Sequence, residues 1–181
     1  MEAIQTGTVS ELAEALLSGW QELATAIDVS ATGWEDRTLE PEDDSDAWSP
    51  RLAAWHAITG ERLRVAYLEH IVSDAAGDDP PDMMAFMAAG GPGFDPEATR
   101  AQFSVTKTPD EMRVVLAAAR DDTTALVSRL QDEQLGQAAK LTGFMHEYLT
   151  SHGQSPGDDV RGVLLHGAVH LRDHARQITD A

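Results

Sequence analysis

Residues 163–178 read VLLHGAVHLRDHARQI, with His166, His170 and His174 each four positions after the last. On an α-helix that spacing places the imidazoles one turn apart on one face. Val163, Leu164, Gly167, Leu171, Ala175 and Ile178 fall on one arc of the same helix, with Arg161, Arg172 and Arg176 opposite. The stretch therefore reads as a closing helix over about 160–178, capped by Asp158 or Asp159. Three histidines in a row cannot share one ion. At 1.5 Å per residue His166 and His174 stand about 12 Å apart along the axis, whereas two nitrogens on one ion lie only ~3 Å apart. The chelating pair is either His166/His170 or His170/His174. On the wheel His174 lies inside the apolar arc, His170 at its border and His166 furthest toward solvent, which favours His170/His174 and leaves His166 as a polar flank or a partner of the ligands.

A two-histidine site is incomplete, and a helix nearer the start of the chain offers a third imidazole. Ser49 before Pro50 is a helix start, because serine caps free amides and a proline in the first turn has no amide to lose. The helix should run to about Ser73, with Leu52, Thr59, Leu63, Ala66 and Tyr67 on one face, His56 among them, and Glu61 and Arg64 on the other side. His70 shares the face of His56 but sits about 21 Å further along, too far to share an ion.

The rest of the chain is also helical in pattern. A first helix, capped by Thr8 or Ser10, should reach about Asp28 with Leu12, Leu16, Trp20, Leu23 and Ile27 inward. The acidic stretch ATGWEDRTLEPEDDSDAW (31–48) reads as a surface loop. Between Gly77 and Pro109 the prolines and the GGPG turn leave room for a short helix near Met83–Ala89 and little else. Thr108 and Glu111 form a capping box that opens a third long helix ending near Gly136, and LTGFMHEYLTSH (141–152) reads as a short helix. No alternating β-branched stretch or internal repeat is present. The expectation is an all-α fold, a four-helix bundle with long inter-helix connections, forming a single domain over residues 1–181; facing core positions of such bundles commonly hold metal sites.

Composition removes several classes of function. The formal net charge of −18, from 31 acidic and 13 basic residues, disfavours nucleic acid, whose phosphates need clustered Lys and Arg. The absence of cysteine excludes disulfides, thiolate zinc clusters and a cysteine nucleophile, so any metal must be held by His, Asp or Glu. No run approaches the ~20 apolar residues of a membrane span, and the opening MEAIQTGTVSEL lacks the features of a secretion signal. A cytoplasmic location without membrane partners is the expectation. HEYLTSH, HGAVH and HLRDH each lack the H-E-x-x-H arrangement, so protease chemistry is disfavoured.

WSPRLAAWHAITGER (48–62) resembles the tryptophan-serine opening and first metal histidine of the DinB/YfiT-like metalloenzyme superfamily, and LLHGAVHLRDHARQI (164–178) resembles its final-helix histidine pair. The resemblance extends over almost the whole chain. It implies a bundle of four helices holding one divalent ion (Zn, Ni or Fe) through His56, His170 and His174, the same closing pair that the wheel favours. It also implies a metal-dependent enzyme on a small-molecule substrate: a transferase using a low-molecular-weight thiol such as mycothiol or bacillithiol, or a hydrolase, and a homodimer. A non-catalytic metal- or ligand-binding bundle is the alternative. The resemblance assigns no catalytic residue; Glu61 and Asp173 lie near the ligands in sequence and read as surface charges or partners of a histidine.

Overall fold

The computed structural model describes residues 4, 6–35, 48–73, 77 and 79–180, and these are all-helical, with no strand among them. The helices are α1 (Val9–Val29), α2 (Pro50–Val72), α3 (Met83–Ala88), α4 (Pro96–Val105), α5 (Pro109–Val127), α6 (Gly143–Ser151) and α7 (Val160–Asp180), with a 3₁₀ turn at Asp132–Gly136. No helix among the described residues is long and apolar enough to cross a membrane.

Local chemistry sets the starts. Thr8 and Glu11 close a capping box on α1, and Thr108 and Glu111 close another on α5, each satisfying two amides left free at a helix end. Ser49 accepts from the Leu52 amide at the start of α2, with Pro50 following it. Asp159 accepts from the Gly162 amide at 2.8 Å and so caps α7.

The four long helices close a ring, because α5 and α7 each pack against both α1 and α2. Trp20, Leu12, Leu16, Leu23 and Ile27 of α1 meet Ile58, Leu68 and Ile71 of α2, Met112 and Leu116 of α5, and Leu164, Val169 and Leu171 of α7 in one continuous core. Burial of each such side chain is worth roughly 1.5–3 kcal/mol, which holds the long helices together although their connections are long. Gly19 permits a close approach of α1 to α7: a Cβ there would lie 2.9 Å from Leu171 Cβ.

Three expectations are corrected. The third long helix ends at Val127, not near Gly136, and the chain then forms the separate 3₁₀ turn. The stretch before Pro109 holds a second helix, α4, started by Asp95 accepting from the Glu97 and Ala98 amides with Pro96 in its first turn. Its far end is held by buried Arg51, whose guanidinium donates to the carbonyls of Thr106 (2.7 Å) and Phe103 (2.6 Å). Finally, Glu61 and Arg64 are buried, so α2 has no solvent side at those positions. The acidic loop at 31–48 lies largely outside the described residues; within them, Trp34 is buried and its indole donates to the Lys107 carbonyl at 3.1 Å.

Candidate metal centre

Helices α2 and α7 run antiparallel in a register that repeats every turn. His56 faces His170 and His174, Gly60 faces His170, and Arg64 faces His166. The first of these levels is the candidate centre. The ring centroids of His56 lie 5.1 Å from His170 and 5.0 Å from His174, and those of His170 and His174 are 4.5 Å apart. One nitrogen from each of the three imidazoles lies within 4.8 Å of the others. His170 Nε2 and His174 Nε2 approach to 3.1 Å, close to the separation of two donors on one ion.

The protonation pattern suits a cation. His174 Nδ1 lies 2.9 Å from Gln177 Oε1, an acceptor, so its proton resides on Nδ1 and the Nε2 lone pair faces His170. Burial, reinforced by the charges of neighbouring His174, His166, Arg64 and His56, pushes the pKa of His170 well below its usual value. Burial also lowers His174, against the opposing pull of Gln177 and Asp173. His56 keeps more solvent contact than the other two, but the enclosure of its ring, then His174 and Arg64, bring its pKa to about 4. At neutral pH all three are unprotonated imidazoles, the form that binds metal. A set of three neutral nitrogens suits a first-row divalent ion and leaves coordination positions for an outside ligand.

Two features outside the sequence reading shape the centre. Trp48 stacks parallel on His174 at 5.7 Å and leans on His56 at 4.8 Å, walling one side. Gly60 seats His170: a Cβ at that position would stand 3.1 Å from His170 Cε1. Both residues lie in the stretch 48–62, where neither periodicity nor spacing gives them a role.

His166 is not the most solvent-facing of the three. It is only 3% exposed, and stacks on His170 with centroids 5.5 Å apart and planes 22° apart. Polarity misled the wheel, because His166 is buried together with polar partners from the facing helix. Arg64 Nη2 donates to His166 Nδ1 at 2.6 Å, and Arg64 Nη1 pairs with Glu61 Oε1. Burial lowers the Arg64 pKa to about 9, which leaves it protonated at neutral pH. Glu61 is therefore the partner of an arginine. Asp173 binds α6 to α7, accepting from the Tyr148 hydroxyl at 3.1 Å and meeting His152 Nε2 at 3.3 Å. His70 packs on Phe86, away from the centre.

A family model described as the DinB superfamily matches residues 9–178. No curated protein and no solved structure matches the chain.

Proposed function

The chain belongs to the DinB superfamily, and on that premise we propose that it is a four-helix bundle in which His56, His170 and His174 hold one divalent ion, Zn, Ni or Fe, for chemistry on a small molecule, with S-transfer from a low-molecular-weight thiol as the reaction. The observation that carries this assignment is the convergence of three uncharged imidazoles, from helices far apart in sequence, with no carboxylate in their group. Such a set leaves the ion its full positive charge and an open position, as in catalytic rather than structural sites. The bound ion supplies a lowered pKa for a coordinated thiol or water, or polarisation of a carbonyl. The protein's own residues orient and enclose: Gln177 holds the His174 ring, Gly60 admits the His170 ring, and Trp48 presents an aromatic wall beside His56 and His174.

The test is element-resolved metal content of tag-free protein, followed by thiol-consumption assays with a panel of electrophiles. Stoichiometric metal that disappears in His56→Ala, together with turnover that disappears with it, supports the assignment. Metal without turnover on any thiol in the panel replaces the enzyme with a binding module. Absence of metal after loading removes the centre altogether.

A further inference from the structure

The closing helix presents two overlapping chelating pairs, His166/His170 and His170/His174, and His170 belongs to both. An ion settling on the upstream pair would strip a ligand from the downstream one. The upstream level also has a carboxylate of its own, because buried Glu61 lies against α7: a Cβ at Gly167 would stand 3.0 Å from Glu61 Oε2 and 3.1 Å from Arg64 Cδ. Two imidazoles and a carboxylate are donor types that bind a divalent ion, although among the described residues only His56, His170 and His174 offer atoms that already converge, within 4.8 Å of one another. One guanidinium engages both ends of that set, pairing with Glu61 and donating to His166 Nδ1 at 2.6 Å. An arginine has only donors, so His166 Nδ1 is an acceptor and the proton of this neutral ring sits on Nε2, which is buried with no hydrogen-bond partner among the described residues. Both nitrogens of His166 are thereby closed to metal, one by the guanidinium and one by its own proton.

We propose that Arg64 is a register selector: by occupying His166 and Glu61 it shuts the upstream level and confines a divalent ion to His56, His170 and His174. This rests on the metal assignment above. Arg64 touches neither the ion nor a substrate and acts as a positioning residue. Its role is negative selection, a resident charge standing where a competing cation would otherwise sit. It also accounts for a third histidine that the three-ligand centre does not use: His166 anchors Arg64 and stacks on His170.

The test is a Co(II) titration read by metal equivalents and by the visible d–d spectrum. Three proteins are compared: wild type, Arg64→Met, and Arg64→Met with His166→Phe. Glu61 is kept because it is the carboxylate of the upstream level, and a bound cation would compensate its buried charge once the guanidinium is gone. Wild type should take one equivalent with a single spectrum. Arg64→Met should show a second spectral component or more than one equivalent, and His166→Phe should abolish it. An Arg64→Met titration that superimposes on wild type overturns the selector while leaving the centre intact. A wild type that takes up no Co(II) fails the centre itself, and the selector with it. Should Arg64→Met lose its helical circular dichroism, the unmutated protein decides through ¹⁵N-imidazole NMR. His166 is expected to keep an acceptor Nδ1 and a protonated Nε2 before and after Zn is added, and metal-induced movement of the His166 nitrogens overturns the proposal.

Discussion

At Gly60 the missing methyl group matters more than backbone freedom. The residue lies inside α2, where glycine is about 1 kcal/mol less favourable than alanine, yet its absent Cβ is the seat of the His170 ring. Gly60→Ala should thus separate stability from binding. The metal-free protein should melt no lower than wild type, while a displaced His170 should weaken divalent-metal affinity by about tenfold or more, as expected when ligand orientation is disturbed; calorimetric titration showing wild-type affinity would contradict this. The three histidines that the structure brings together are legible in the sequence for two different reasons: His170 and His174 share a local helical spacing, whereas His56 stands in a stretch that resembles a family motif. Arg64 and Glu61 are not, since a charged residue buried with a partner looks, on a wheel of one helix, the same as a charged residue in water. Only the opposite helix distinguishes them, and it comes from about a hundred residues away.

Among the elements, α4 shows the same boundary between local and long-range information. Its start, Asp95 followed by Pro96, carries the signal that marks Ser49–Pro50 and Thr108–Pro109. None of its residues is buried, so it has no apolar period, and a reading that weighs periodicity passes over it. Likewise Leu130 is buried and extends the apolar pattern of α5, although the helix ends at Val127. With so little burial, α4 depends on its clamp. Arg51, stacked on Phe103 at 3.9 Å and bonded to the last carbonyls, substitutes for packing. Arg51→Ala should raise amide hydrogen exchange in 96–105 by an order of magnitude or more, leaving α7 protected. Equal loss of protection in both would show that α4 is integral to the core.

For the whole molecule, four clustered histidines, three of them buried and His56 more open to solvent, respond to acid in the same direction. His56, His166, His170 and His174 all have depressed pKa values in the folded state, chiefly through burial. The unfolded chain takes up these protons near pH 6.5 and the folded one only at lower pH, so more protons are bound by the unfolded state between those limits. Stability of the metal-free protein should therefore be greatest above about pH 6.5 and decline as pH falls toward about 4. Urea midpoints measured from about pH 7.5 to about pH 5 test this, and a flat profile would contradict it. The antiparallel register of α2 and α7 has a mechanical meaning as well. An ion shared by residue 56 and residues 170 and 174 would knot the early part of a cysteine-free chain to its tail, the service a disulfide performs elsewhere, closing a very long loop. At about a hundredfold excess over its dissociation constant it would add about 2.7 kcal/mol. For a chain of this length that is roughly 5–10 °C of melting temperature, removable by a chelator. Unlike a sulfur bridge, this clasp could be undone and refastened with no electron changing hands.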